Sequence, residues 1–479
     1  MDLKLLIQKQ LNRTTTENGD LALKTTGSAC LDYFSIIGGM RNNLKDATTL
    51  MIRAYYEDYR TFLKLLLYTR DIKDGLGERR LFRYLYHMLS IINTKHAKVL
   101  MPLVQSYGRF DDLLVLMDSK LEDDVIDFFK KQIDKDKKAK KYGDSTSLLG
   151  KWLPSINASN QETRYYAKKL IKGLNMNKAD YRKMCVYLRE DLIIENHLRE
   201  KRQIEDYNKI SEQAMFKNFN ALSANDKEGL NKALAVIESR NTNNLYPHQI
   251  ANRIIKNHDL LEDEKKLLET FWYNLPRHEI GEGTLVVRDG SGSMYEQDGI
   301  AISVATALSI LFSESIKGVF HNSFITFSKN PELVTLKSDS IYGRIMETLS
   351  YGEVANTDIG KVFQLIIDAA KTHQITKEQM IKRLIIISDM EFDSCVLGMS
   401  SYDYFKAQFE DLGYALPTLV FWNVNARHIH YPTDIDQKVL MVSGMNQKMI
   451  ELIIKDELVS PYDLMMETLE RYEVIDALL

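Results

Sequence analysis

The chain changes its hydrophobic period once. Up to about residue 280 apolar residues recur at helical spacing, and from 284 onward they gather into short continuous runs. In the first part, Leu50, Ile52 and Ala54 through Phe62, Leu65 and Leu66 form one amphipathic stretch, and Leu81, Leu85, Met88, Leu89 and Ile92 form another. The same spacing continues through Leu100 to Met117, Val125 to Ile133, Tyr165 to Leu174, Tyr181 to Leu192, Lys227 to Glu238 and Pro247 to Lys256. Few strand signals precede 284, so this part predicts an all-α array of paired helices, solenoid-like but without a clean period. Residues 1–45 read as loosely ordered: Asn12 to Gly27 is rich in Thr, Asn and Gly, and Leu31-Asp32-Tyr33-Phe34 offers a short apolar anchor.

Pro276, His278, Gly281 and Gly283 separate the last amphipathic helix from the first buried run. Beyond them, apolar runs at 284–287, 319–327, 384–388, 418–424 and 439–442 alternate with helical patterns near 299–315, 339–350, 358–372, 401–412 and 446–456. That alternation predicts a doubly wound α/β sheet. Pro461 to Leu478 reads as one more helix with proline in its first turn. The expected organisation is a loose segment over 1–45, a helical array over 46–280 and an α/β domain over 281–479.

Composition narrows the class. With 479 residues, 44% hydrophobic and 27% charged, the chain can bury a large core and fill at least two domains. Its three cysteines, Cys30, Cys185 and Cys395, are far apart and show no metal-ligand spacing, which suits a reducing compartment. The N-terminus has no basic region followed by a long apolar core, and no apolar run approaches the roughly 20 residues that span a bilayer. The expectation is a soluble cytoplasmic protein with no membrane partner. The net charge of −3 hides a division, because residues 281–479 hold 16 Lys+Arg against 28 Asp+Glu, leaving 47 against 38 for residues 1–280. A basic half favours polyanions and an acidic half favours cations, unless the two halves mainly neutralise each other.

The chemistry concentrates where Leu285-Val286-Val287 breaks into Arg288-Asp289-Gly290-Ser291-Gly292-Ser293-Met294. One carboxylate and two hydroxyls on a tight turn suit Mg²⁺, which needs about six oxygens near 2.1 Å and keeps several waters. A serine-glycine turn after a strand can also be only a solvated loop. Two further segments favour the metal reading. Tyr351 to Asp358 is a polar loop opening a helix, and Leu384-Ile385-Ile386-Ile387-Ser388-Asp389 ends a buried strand in a second acid, at the sheet end where α/β folds collect ligands.

The order strand, Asp-x-Ser-x-Ser, helix, strand, Thr loop, helix, strand, Asp resembles the von Willebrand factor A domain with its metal-ion-dependent adhesion site. The resemblance implies Ser291, Ser293 and Thr357 as direct Mg²⁺ ligands, with Asp289 and Asp389 acting through bound water. It also implies one open position for an acidic group of a protein partner. Arg288 departs from the family pattern, and its charge would weaken cation binding.

In the helical part, Arg70-Asp71-Ile72-Lys73-Asp74-Gly75-Leu76-Gly77-Glu78-Arg79-Arg80-Leu81-Phe82-Arg83 pairs a glycine turn with a cluster of arginines. A helix N-terminus beside Arg79, Arg80 and Arg83 could cradle phosphate, or Asp71, Asp74 and Glu78 could neutralise it. The tract from Lys130 and Lys131 through Lys137 and Lys138 to Lys141 carries seven lysines against two aspartates. Such runs attract phosphate without sequence preference, or merely solvate a helix face. Tyr107-Gly108-Arg109-Phe110-Asp111-Asp112-Leu113-Leu114 and Lys151-Trp152-Leu153-Pro154-Ser155 mix aromatics with charge and read first as packing at helix ends.

A helical array followed by such an α/β domain resembles the TROVE/Ro architecture, in which HEAT-like helical repeats bind RNA. The chain is still more similar to an uncharacterised TROVE-like family, through Thr26 to Asp32, Arg70 to Arg79, Tyr107 to Leu113, Lys151 to Ser155, Asn356 to Asp358, Ser388 to Asp393, Gly413 to Pro417 and Val420 to Asn423. The implied fold is α + α/β, and the implied function is RNA binding through Arg70, Lys73, Arg79, Arg80, Arg83, Arg109, Lys130, Lys131, Lys137 and Lys138. A protein-interaction scaffold that captures acidic partners at the metal is the alternative. No enzyme is expected: there is no phosphate-binding Gly-x-x-x-x-Gly-Lys-Ser/Thr loop and no His-Glu-x-x-His, and neither His321 nor His373 lies in a motif that would serve Ser291 or Ser293 as a base. Asp389, Glu391 and Asp393 leave a metal-dependent nuclease as the minor enzymatic reading.

Overall fold

The structure is a computed structural model and describes all residues except 1–2, 202–203, 238–244, 258, 329, 352–357, 394–400, 433–438 and 455–459. It contains two compact units: Met1–Leu65 with Arg240–Arg471, and Leu66–Ser239 with Tyr472–Leu479. Among the described residues, no helix is long and apolar enough to cross a membrane.

In the first unit a helix at Leu3–Leu11 is followed by an antiparallel hairpin of β1 (Arg13–Thr15) and β2 (Leu21–Leu23). Its main sheet comprises β3 (Thr284–Asp289), β4 (Ser323–Phe327), β5 (Leu333–Thr335), β6 (Arg383–Ser388), β7 (Thr418–Asn423) and β8 (Val439–Ser443). These stand in the order β5-β4-β3-β6-β7-β8, parallel throughout except for the antiparallel edge strand β5. Five of these strands, β3, β4, β6, β7 and β8, correspond to the expected buried runs, although β4 starts only at Ser323, after a 3₁₀ turn at Gly318–Phe320; the edge strand β5 was not expected. Helices cover both faces of the sheet, so Leu285, Val286, Leu384, Ile385 and Ile386 are all buried and the runs carry no polar alternation. The helix Ile300–Ser315 is apolar all round because it lies between the sheet and the helix Pro247–Lys256.

From β3 the chain builds toward β5 on one side and from β6 toward β8 on the other. β3 and β6 therefore flank the topological switch, and the crevice beyond their carboxyl ends is where this kind of sheet binds ligands.

Two structural features bear on the expected boundaries. Residues 3–45 carry regular elements: beyond the hairpin, the helix Ala29–Ile36 buries seven of its eight residues. Ser28 caps Leu31 N, while Glu57 accepts from Ser28 Oγ at 2.7 Å, Ala29 N at 2.6 Å and Cys30 N at 3.0 Å. At Gly38, which follows this helix, an added Cβ would come within 2.8 Å of the Ser443 and Gly444 backbone at the end of β8. The division into compact units also does not fall at 280, since the helices Pro247–Lys256 and Glu262–Tyr273 pack with the sheet-bearing unit, joined by the Arg253–Glu264 ion pair at 2.5 Å.

The second unit is a helical array. It includes the helices Arg79–Ile92, Thr94–Tyr107, Glu122–Tyr142, Gln161–Gly173 and Lys178–Arg189, with a 3₁₀ segment at Phe110–Asp118. The pattern expected to run from Leu100 to Met117 breaks at Gly108, where a Cβ would meet Asp112 Oδ2 at 2.6 Å and Arg70 Nε at 2.9 Å. The lysine tract extends a single helix to 21 residues, closed by Gly143 at φ +76°. Tyr472 lies in this unit, donating to Asp71 Oδ2 at 2.9 Å with its ring against Tyr68 and Tyr107. In the first unit, the stretch expected to run from Leu50 to Leu66 breaks at Asp58, whose extended backbone lets its carboxylate accept from Arg60 N and Thr61 Oγ1.

Candidate metal centre and basic surfaces

Asp289 ends β3 and Ser388 ends β6, so the parallel ladder brings their side chains together. Asp289 Oδ1 accepts from Ser291 N at 2.8 Å, which closes the turn, and Oδ2 accepts from Ser388 Oγ at 2.6 Å. Ser291 Oγ and Ser293 Oγ are 3.1 Å apart. Met390 takes φ +68°, an unusual conformation for a side chain of its size, as the chain turns out of β6 between Asp389 and Glu391. Thr357, the third expected direct ligand, lies outside the described residues.

Asp289 and Asp389 are both buried, with 0% and 1% exposure. Burial first, and then the neighbouring Asp389 charge, push the Asp289 carboxyl up to about 7. Asp389 is raised as well, chiefly by burial, against the lowering effect of Ser293 and Arg427. Among the described residues Asp389 Oδ2 accepts no hydrogen bond, and it faces Arg427 Nη2 at 3.3 Å.

These residues fit a hard divalent cation. The hydroxyl separation is close to the edge of an octahedron with ~2.1 Å bonds, about 3.0 Å. Two buried carboxylates that repel one another, one with an oxygen that accepts no hydrogen bond among the described residues, form the electrostatic environment that a cation relieves.

Arg288 does not point into this site, as its charge had suggested. Strand alternation turns it to the opposite face from Asp289, where its guanidinium reaches Thr306 Oγ1 at 3.2 Å and the Thr348 carbonyl at 3.4 Å. The basic group at the site is Arg427, which also binds Glu17 Oε2 at 2.5 Å. Glu391 accepts from Glu17 N at 2.7 Å and contacts His428 Nδ1 at 2.9 Å and His430 Nε2 at 3.2 Å. Although burial alone would raise it, these partners hold its carboxyl down at about 2. Sequence reasoning missed Glu17, Arg427 and His428 because they lie in no motif, and only the fold brings residues near 17, 390 and 428 to one place.

The predicted phosphate-binding residues separate into distinct environments. Arg70 is 1% exposed and donates from Nε to Asp112 Oδ2 at 2.7 Å, so it is a structural ion pair and not a surface contact. Arg79 and Arg83 bind Asp111 at 2.5 and 2.8 Å, and Arg83 also binds Asp112 at 2.6 Å. Arg109 lies over the Trp152 ring at 4.2 Å. Lys73 and Arg80 are exposed. On the helix Glu122–Tyr142, Lys130, Lys131, Lys135, Lys137, Lys138 and Lys141 are exposed, and no ion pair among the described residues engages them. Lys140, by contrast, is held by Asp191 at 2.9 Å and Glu190 at 3.1 Å.

Residues 283–474 match the model of a domain of unknown function, DUF7788, and residues 16–106 match that of a second domain of unknown function, DUF2828. An uncharacterized protein of Acanthamoeba polyphaga mimivirus is 26% identical over 516 aligned residues, covering 96% of this chain and 88% of that protein. The crystal structure of the Deinococcus radiodurans Ro (RSR) protein matches over 91% of this chain and 92% of its own, at 12% identity and a TM-score of 0.36, a loose likeness.

Proposed function

We propose that this is an RNA-binding protein of the Ro/TROVE type, with HEAT-like helices that hold RNA phosphates and a von Willebrand factor A-like unit that binds Mg²⁺ and an acidic ligand. The observation that carries the RNA reading is the lysine face of the helix Glu122–Tyr142, six exposed ammonium groups outside the ion pairs among the described residues. Such a face binds polyanions by releasing their counterions and reads no base, so affinity would track phosphate contacts and salt.

The metal reading rests on the oxygen set at the switch crevice. Ser291 and Ser293 would hold the ion while Asp289 and Asp389 balance its charge, and Arg427 adds a second positive group beside Asp389. Bound Mg²⁺ supplies a Lewis-acidic charge for a partner's carboxylate or phosphate. Glu391, the second acid of the nuclease alternative, is engaged by His428, His430 and Glu17 N, which favours a binding role over catalysis.

Filter binding of labelled single-stranded RNA across a salt series tests the proposal. Affinity should be strong at low salt and fall linearly on a double-logarithmic plot. Absence of RNA binding even at low salt overturns it and leaves the protein-interaction scaffold, which predicts EDTA-sensitive capture of an acidic protein instead.

A further inference from the structure

Three sequence segments outside the lysine-bearing helix Glu122–Tyr142 converge within the helical unit. Arg79 from the glycine-arginine segment, Asp111 from Tyr107 to Leu114, and Lys151 and Trp152 from the Lys-Trp-Leu-Pro-Ser segment line one cavity of about 470 Å³. Glu162 and Glu195 add two carboxylates to its wall, and Arg83 and Arg189 two further cations. The volume lies within the range of small-molecule sites, and a few convergent polar groups around an aromatic side chain are what such sites present.

The mixture of charges points to one ligand class. A simple anion would be served by cations alone, and an apolar ligand by neither sign. Here cations and carboxylates share one wall: Arg79 pairs with Asp111 at 2.5 Å, and Lys151 pairs with Glu195 at 2.9 Å. Both pairs are open to solvent, with Arg79 at 42% and Lys151 at 33% side-chain exposure, so an incoming phosphate can share these cations. Carboxylates accept hydrogen bonds from ribose hydroxyls and exocyclic amino groups, and an aromatic ring stacks with any base. Trp152 is held in place by Arg109 at 4.2 Å from its ring centroid.

We infer that this cavity binds a nucleotide, with the base against Trp152, the phosphate against Arg79 and Lys151, and the sugar or base amino groups against the carboxylates. The nucleotide is either a free nucleoside monophosphate or the end of an RNA strand. In the second case the inference deepens the RNA reading above, and in the first it stands apart from it.

Trp152 provides the readout, because the chain's other two tryptophans, Trp272 and Trp422, are buried at 1% and 0% exposure. Tryptophan emission of the full chain is followed while adenosine, cytidine, guanosine and uridine monophosphates, inorganic phosphate or a short single-stranded RNA is added. A saturable change with nucleotide but not with phosphate is expected. Trp152→Phe should abolish the optical signal while keeping affinity by calorimetry. Trp152→Leu and Lys151→Gln should each weaken binding on the order of tenfold, with unchanged far-ultraviolet circular dichroism. Tighter binding of the RNA than of any monophosphate identifies a strand end as the ligand, and the reverse identifies the free nucleotide. No saturable change with any nucleotide or RNA, phosphate binding as well as nucleotide, or folded Lys151→Gln binding like wild type would overturn the inference. Long RNA failing to bind at low salt while a monophosphate saturates Trp152 refutes the RNA reading and leaves the cavity intact.

Discussion

Ser388 donates its hydroxyl to Asp289 across 2.6 Å, joining the tips of two parallel strands whose residues stand 99 apart in sequence. The contact fixes the carboxylate that begins the Asp-x-Ser-x-Ser turn, so Ser291 and Ser293 face the crevice from a turn already closed on its own acid. Replacing both serines with alanine leaves that contact in place. The double variant should fold with wild-type circular dichroism but lose the rise in melting temperature that Mg²⁺ gives the wild type. That rise corresponds to about 2.7 kcal/mol when the ion is at a hundred times its Kd, and EDTA should remove it. Equal Mg²⁺ stabilisation of both proteins would rule out these hydroxyls as ligands.

Arg427 sits 3.3 Å from Asp389 and opposes a cation at the same carboxylate. Arg427→Ala should therefore tighten Mg²⁺ binding on the order of tenfold, measured by calorimetry at low salt, with the difference shrinking as salt screens the charge. Weaker Mg²⁺ binding in the variant would mean that Arg427 organises the site and does not compete there.

Asp112 is fully buried and accepts from both Arg70 and Arg83. Asp112→Ala would leave the buried Arg70 guanidinium without its partner. Chemical denaturation should show a loss of about 3–5 kcal/mol. A loss below about 1 kcal/mol would place the stabilisation of this corner elsewhere.

Glu57 anchors the first buried helix through Ser28, Ala29 and Cys30, and although burial opposes it, these hydrogen bonds hold its carboxyl below the usual range. With a depressed folded pKa, its contribution is complete above the unfolded value of about 4.3 and is lost as pH falls through the folded one. Glu57→Gln should cost about 1 kcal/mol at neutral pH, and the difference from wild type should vanish in acid. A difference that persists unchanged in acid would contradict this assignment.

How much was legible in the sequence follows from burial. β3, β6, β7 and β8 are covered on both faces, so each reads as an unbroken apolar run. The edge strand Leu333–Thr335 has three residues and only one buried, and the hairpin Arg13–Thr15 with Leu21–Leu23 is threonine-rich, so neither leaves a period to find. Asp289, Ser291, Ser293 and Asp389 were visible because one turn and one strand end carry them, and the structure brings Asp289, Ser291 and Ser293 together with Ser388. Glu17 and Arg427 were not, because their meeting depends on where the N-terminal hairpin lies. Arg70 looked like a surface cation because its buried partner, Asp112, is 42 residues away.

The central claim is that exposed lysines on the helix Glu122–Tyr142 hold RNA phosphates. The most direct measurement is the slope of log affinity against log salt for single-stranded RNA, compared between the wild type and a variant with Lys130, Lys131, Lys137 and Lys138 all changed to glutamine. Every phosphate that the variant no longer neutralises should lower the slope by about 0.7, so its slope should be shallower by up to about 3 and its low-salt affinity much weaker. Identical slopes and affinities for the two proteins would contradict the account.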